Sequence, residues 1–246
     1  MSNVDSSTTP PGTIGARDVG GSPLPASFCW TRFGTEAGET IDAIIQRKEE
    51  ERVGNRGVFL WGIGNALGPS MRELLRVATA PELLFSPIRS KPRREDVAPA
   101  TTVVWTAGRD LNGAVFSLPA GSVVTSRYSP GPRTPRHYAL VCYSEAPLEF
   151  RPSAIALSVA RLRNLLTNNV VGASQVTAVV RRVDSGVGAG GTSYPVAMRV
   201  RLVAPYLIEL LGPKWHAGDA RTVHPELPFG CHPEPGGLPS LVVHTN

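Results

Sequence analysis

Hydrophobic and polar positions along the chain predict short strands with a few helices between them. The aromatic-rich residues 28–33 predict a first strand, and 58–61 a second. A helix is predicted over 40–53, where isoleucines recur on one face, and a shorter helix begins at Pro69. Further strands are predicted over 83–88, 101–107, 115–118, 122–128, 137–143, 175–182 and 196–202.

A third helix is predicted over 153–167, with Ser153 as its N-cap. Its buried stripe consists of Ile155, Val159, Leu162 and Leu166. The Gly-rich residues 184–192 are predicted to form a hairpin loop between the last two strands. In the second of these strands, Arg199 and Arg201 alternate with apolar residues and are predicted to face away from the core.

The resulting fold prediction is a mixed α/β (α+β) domain with a curved or barrel-like sheet and about three flanking helices. No βαβ alternation follows the second strand, which favours such a mixed domain. Residues 1–25, rich in Ser, Thr, Pro and Gly, are predicted to be disordered. A single domain is predicted over 26–211, and a loosely ordered tail rich in Pro, Gly and His over 212–246.

Composition narrows the class of protein. The chain has 246 residues, of which 41% are hydrophobic, enough for a core, and its 25 glycines have no collagen-like period. The apolar stretch 202–211 is too short to cross a bilayer, and the first residues do not resemble a secretory signal. A cytoplasmic protein without membrane contact is therefore expected. Cys29 and Cys142 lie in apolar strands and are predicted to be buried and unreactive.

Charge is distributed unevenly. Arginines far outnumber acids between Asp110 and Ile208, whereas the first hundred residues hold most of the carboxylates. Such a basic half favours an anionic partner such as nucleic acid. The chain has three lysines against 22 arginines, so the bias of a GC-rich genome is an alternative explanation.

A glycine-rich segment lies between the second strand and the short helix. Gly62, Gly64 and Gly68 have the spacing G-x-G-x-x-x-G, one residue longer than the dinucleotide fingerprint, and no P-loop Lys-Ser/Thr follows. A tight turn and a backbone approach to phosphate both fit this pattern. No cofactor is predicted, and the tail histidines match no metal-ligand spacing. His137 is the only histidine before the tail that could act as an acid or base.

Three tryptophans lie in or at the ends of different predicted strands: Trp30, Trp61 and Trp105. They are either ordinary core residues or the walls of a recessed pocket for a planar group. Basic and aromatic residues also alternate around the proline-rich loop 129–135, where Arg133 and Arg136 could hold a phosphate backbone.

The order of these motifs resembles that of the EVE domains of the PUA-like superfamily. Trp30 is followed by the Trp-Gly-Ile-Gly-Asn segment 61–65 and by Leu-Phe-Ser at 84–86. Residues 172–177 resemble the closing Ser-Val-x-x-Val-Thr strand of these domains. The resemblance implies a small barrel that binds a modified base in an aromatic cage. Trp30, Trp61, Asn65 and Ser174 are the positions that match the family's motifs.

Together, these features predict a nucleic-acid-binding module that recognises a base, modified according to the resemblance. The predicted base-binding residues are Trp30, Trp61, Asn65, Trp105 and Ser174. The predicted phosphate-binding residues are Gly62, Gly64, Arg133, Arg136, Arg181, Arg182, Arg199 and Arg201. The pattern does not separate DNA from RNA and leaves the oligomeric state open. Alternatives are an enzyme acting on a nucleotide or other phosphorylated small molecule through the Gly62–Gly68 loop, and a protein-binding module.

Overall fold

The structure is a computed structural model of the chain. It describes residues 23–34, 40–63, 67–88, 101–105, 107–118, 123–126, 137–172, 175–183, 191–211, 231–232 and 240–241. The helices are α1 (Ile41–Gly54) and α2 (Gly68–Val77). The strands are β1 (Ser27–Phe33), β2 (Val58–Ile63), β3 (Glu82–Pro87), β4 (Thr101–Val104), β5 (Ala107–Arg109), β6 (Val115–Ser117), β7 (Val123–Ser126), β8 (His137–Tyr143), β9 (Ala156–Ser158), β10 (Leu162–Asn164), β11 (Thr177–Arg182), β12 (Ser193–Pro195), β13 (Met198–Leu211), β14 (Cys231–His232) and β15 (Ser240–Leu241).

The predicted α+β class is confirmed, as a mixed sheet with two α-helices. Strands β10, β11, β1, β3 and β13 are neighbours in that order, and β8 and β2 continue the sheet beyond β13. Among the described strands, none pairs β10 with β2, so the sheet is open and the predicted barrel-like closure is wrong. Only the pair β1–β3 in this sheet is parallel, because α1, β2 and α2 intervene between these two strands.

Strand β13 connects the two halves of the sheet. Residues 198–201 pair with β3, residues 201–210 pair with β8, and residues 209–211 pair with β5. The register with β8 shifts between Leu202 and Leu207, a bulge in which Tyr206 has a φ of 65°. A bulge bends its strand, which lets one strand serve both halves.

Both faces of the sheet are covered. One face carries the largest core cluster, including Phe59, Phe85 and Leu140, and the helices pack on it through Ile44 and Met71. The opposite face carries two separate clusters, one over β1, β3 and β11 and one over β2, β8 and β13. Because successive strand residues point to opposite faces, Cys29 and Trp30 belong to different clusters.

Helix α1 begins where the sequence predicts. The Thr40 hydroxyl accepts a hydrogen bond from the Ala43 backbone N–H at 3.2 Å, which caps the first turn. A buried ion pair between Lys48 Nζ and Glu51 Oε2, 2.6 Å apart, lies on the packed side of α1. Glu51 also accepts a hydrogen bond from the Leu60 N–H at 2.8 Å, so the pair fixes α1 against β2.

The predicted helix over 153–167 is wrong. This segment forms β9, a 3-10 turn (Val159–Arg161) and β10. The Ser153 hydroxyl accepts from the Ile155 N–H at 3.2 Å, two residues on, which closes a local turn instead of capping a helix. Pairing of β9 with β12 and of β10 with β11 supplies the backbone hydrogen bonds that a helix would have made.

The predicted hairpin between 175–182 and 196–202 is also wrong. Strand β11 pairs with β1 and β10, whereas β13 pairs with β3, β8 and β5. The residues between them include β12, which pairs with β9. Residues 184–190 lie outside the described part of the chain.

Most of the predicted disordered segment also lies outside the described residues, which begin at Pro23. Within it, Leu24 packs against the cluster over β1 and β11. Of the predicted tail, residues 231–232 and 240–241 are described, and they form the short pair β14–β15.

Candidate nucleic-acid interface

Trp30 lies in the core on one face of β1, where it is 1% exposed. Its indole Nε1 donates a hydrogen bond to the Ser86 hydroxyl at 3.0 Å. Its ring meets Tyr194 edge to face, with centroids 5.6 Å apart. A buried indole N–H needs an acceptor, and Ser86 on the neighbouring strand β3 provides it.

Trp61 and Trp105 are buried elsewhere. Trp61 packs edge to face against Phe33 and Phe85 in the cluster beneath the helices, with centroid distances of 4.8 and 4.7 Å. Trp105 belongs to the cluster over β2 and β8, with its ring centroid 5.1 Å from that of His137. The three tryptophans thus occupy three different clusters, and the structure does not bring them together as the walls of one cage.

Several predicted site residues lie outside the described residues. These are Gly64, Asn65, Arg133, Arg136 and Ser174. Gly62 is described and belongs to β2, where it lies opposite Ala139 of β8. The glycine segment therefore starts inside a paired strand.

Arg32 is not among the predicted site residues, and it is 3% exposed. Its guanidinium carbon lies 5.0 Å from the Trp30 ring centroid and 4.9 Å from that of Tyr194. Nη1 donates to the Tyr194 hydroxyl at 3.0 Å, and Nη2 donates to the Gln175 carbonyl. Residues 28, 30 and 32 share one face of β1, because side chains alternate along a strand. This shared face with two aromatic residues, Phe28 and Trp30, was the sequence signal that could have identified Arg32.

Arg199 and Arg201 both point away from the large core cluster, as predicted. Arg201 is exposed, but Arg199 is half-buried and forms a bidentate ion pair with Glu82, with a shortest distance of 2.8 Å. A guanidinium held in this way is occupied by a carboxylate of its own chain. Arg181 lies on the opposite face of the sheet, so the predicted phosphate-binding arginines do not form one surface.

A different group of arginines does gather in the structure. Three of them lie on the paired strands β10 and β11 at one end of the sheet, and a fourth directly precedes β10. We call this group the arginine edge: Arg161, Arg163, Arg181 and Arg182. Arg181 and Arg182 were predicted to bind phosphate, whereas Arg161 and Arg163 were placed on the incorrect helix.

Polar contacts position this edge without neutralising it. Arg163 Nη1 donates to the carbonyls of Ala160 and Leu162, at 2.8 and 3.0 Å. Arg181 donates to Asn168 Oδ1 at 2.6 Å, and Arg182 donates to the Leu24 carbonyl at 3.3 Å. Within the described part of the chain, none of the four arginines forms an ion pair with a carboxylate.

The reactive groups of the core are shielded. The predicted burial of Cys29 and Cys142 is confirmed, and burial raises the pKa of the Cys29 thiol to about 12. The pKa of Cys142 is likewise raised, so both thiols stay protonated near neutral pH. Burial lowers the pKa of His137, which stands beside Trp105.

Among the described residues, no group of three or more His, Cys, Asp or Glu side chains is arranged to hold a metal ion. Neither described helix is long and apolar enough to cross a membrane.

Comparison of the chain with known proteins leaves its family open. No family model, curated protein or solved structure matches the chain. The resemblance to EVE domains therefore stays a prediction that rests on the short motifs given above.

Proposed function

We propose that this protein binds nucleic acid and that the arginine edge makes its phosphate contacts. The observation that carries the proposal is the gathering of four arginines at β10, β11 and the turn before β10, with no carboxylate partner among the described residues. Arg163 and Arg181 lie on one face of this edge and Arg182 on the other. Arginine is the side chain best suited to phosphate, because its planar guanidinium donates two parallel hydrogen bonds. A polyanion supplies several phosphates at once, which fits several arginines on one edge.

The tryptophans have a structural role in this proposal, whereas the sequence predicted that they bind a base. Because Trp30, Trp61 and Trp105 are buried in separate clusters, we assign them to the core. Recognition of a modified base and a PUA-like assignment depend on the resemblance to EVE domains. The small barrel that the resemblance implies differs from the open sheet of the described strands.

The test is a binding titration with fluorescein-labelled RNA and DNA at low salt. A variant in which Arg161, Arg163, Arg181 and Arg182 are replaced by Gln should bind at least about 100-fold more weakly than the natural protein. The control variant replaces four exposed arginines outside the edge by Gln: Arg56, Arg72, Arg76 and Arg151. Both variants change the net charge equally, so a difference between them reports position instead of total charge.

Two results would overturn the proposal. One is the absence of binding to every nucleic acid probe at low salt by the natural protein. The other is an equal loss of affinity in both variants, which would mean that net charge alone attracts the probe. Circular dichroism of each variant checks that the fold is retained.

A further inference from the structure

Exposed aliphatic side chains accompany the arginine edge. The turn at residues 165–170 follows β10, and two of its side chains are unusually open to solvent, Leu166 at 52% and Val170 at 57%. Single exposed apolar residues are common on protein surfaces. Two exposed apolar residues on one short turn beside the arginine edge are a less common arrangement than single ones. This part of the surface combines apolar area with positive charge.

Strand register places one of these residues in line with the arginines. Val170 forms an isolated antiparallel bridge with Arg163, and Arg163 lies opposite Arg181 in the β10–β11 ladder. Residues directly opposite one another in a ladder point to the same face, at a strand spacing of about 4.8 Å. Val170, Arg163 and Arg181 therefore form a row across this end of the sheet, with the apolar residue outermost.

The turn is held in place by its own hydrogen bonds. Asn164 Oδ1 accepts from the backbone N–H groups of Leu166 and Thr167, both at 3.0 Å. The Asn164 N–H donates to the Asn169 carbonyl at 2.8 Å. Asn168, with a φ of 61°, fixes Arg181 through its side chain. Because the apolar residues and the arginine are ordered before any ligand arrives, binding loses little conformational entropy.

We infer that the arginine edge and this turn together bind a single-stranded nucleic acid, with its bases against Leu166 and Val170. The inference rests on the proposed function and specifies the substrate class. In a duplex the base faces are stacked on one another and closed to side chains, whereas a single strand exposes them. Its phosphates meet the arginines of the row while its bases cover the aliphatic side chains beside them.

The experiment compares single strands with duplexes and with a polyanion that has no bases. Probes are RNA and DNA oligonucleotides of about 20 nucleotides, longer than the site of a small domain, their blunt duplexes, and inorganic polyphosphate. The test variant is Leu166→Ser/Val170→Ser. Val53→Ser/Val77→Ser is the matched control, since these valines are 64% and 46% exposed at the ends of the two helices.

We expect the natural protein to bind single strands more tightly than duplexes of the same sequence. The test variant should lose about tenfold in affinity for single strands, because the bases no longer cover apolar surface there. Its affinity for duplexes and polyphosphate should stay within about twofold, because the phosphate contacts remain. The control variant should bind all probes like the natural protein. The difference in affinity between the RNA and DNA probes shows which sugar the site prefers.

The possible failures are distinguishable. Equal binding of single strands and duplexes, unchanged in the test variant, overturns this inference and leaves the proposed function standing. Binding to phosphatidylserine–phosphatidylcholine vesicles that the test variant loses, without a preference for single strands, overturns it in favour of a membrane surface. Absence of binding to every nucleic acid overturns both proposals.

Discussion

Arg163 and Arg181 lie directly opposite one another on the antiparallel strands β10 and β11. Like charges at opposite positions of a ladder repel each other, and each of these two guanidinium groups is hydrogen-bonded to uncharged oxygens instead of a carboxylate. The arrangement costs some stability in the free protein. A bound polyanion would remove that cost, which is why the pair is central to the proposed function.

Replacing one member of this pair should relieve the repulsion. Arg163→Thr should leave the free energy of unfolding unchanged or raise it by up to about 1 kcal/mol at low salt. The gain should shrink at high salt, since surface charges are then screened. Urea denaturation at two salt concentrations measures both effects. A loss well above 1 kcal/mol would show instead that Arg163 is needed to hold the edge together.

The hydrogen bond between Trp30 and Ser86 should behave as part of the core. Trp30→Phe should lower the free energy of unfolding by about 1–3 kcal/mol, because Ser86 loses a buried partner and packing volume is lost. Adding Ser86→Ala should recover part of that loss, since no unsatisfied hydroxyl remains. A double-mutant cycle by urea denaturation measures the coupling. Strictly additive losses would contradict the assignment.

The ion pair of Arg199 with Glu82 should stabilise the sheet without serving the ligand. Arg199→Gln should lower the free energy of unfolding by about 1–3 kcal/mol, as for other hydrogen bonds to charged groups. Nucleic acid affinity should stay within about twofold, in contrast to the effect expected for the arginine edge. Urea denaturation measures the free energy of unfolding, and probe titration of the same preparation measures the nucleic acid affinity. A large loss of affinity in the folded variant would place Arg199 in the interface after all.

Acid should destabilise the protein partly through His137. Burial lowers the pKa of His137 in the folded state, so the unfolded chain takes up the proton first. Its contribution to stability is complete above the unfolded-state pKa of about 6.5 and is lost as the pH falls through the lower folded-state pKa. His137→Gln should therefore lose less stability over that interval than the natural protein. Thermal unfolding across this pH range tests the difference, and a natural protein that gains stability with acid would contradict it.

The first half of the fold could be predicted from sequence because local signals and tertiary structure agree there. Helix α1 has a capping threonine and isoleucines at helical spacing, and β1 and β3 are short apolar runs with turn residues around them. Strand β8 was also predicted within its observed bounds. The open sheet was missed because strand order depends on long-range pairing that no local pattern records.

The incorrect helix over 153–167 explains why half of the arginine edge was missed. Its apolar residues recur at helical spacing, yet Leu166 is exposed and pairing with β11 overrides the local preference. Once 162–164 is a strand, Arg163 falls opposite Arg181. The tryptophans were grouped for a related reason, since sequence alone does not show that Trp30 and Trp61 point to opposite faces of the sheet.

The salt dependence of nucleic acid affinity tests the central claim most directly. The logarithm of the association constant should fall with the logarithm of salt concentration with a slope of about −3 to −4, the value for roughly four phosphates neutralised. In the variant with all four edge arginines replaced by Gln, any residual slope should be close to zero, whereas the control variant should keep the natural slope. Equal slopes in all three proteins would contradict the assignment of phosphate binding to the arginine edge.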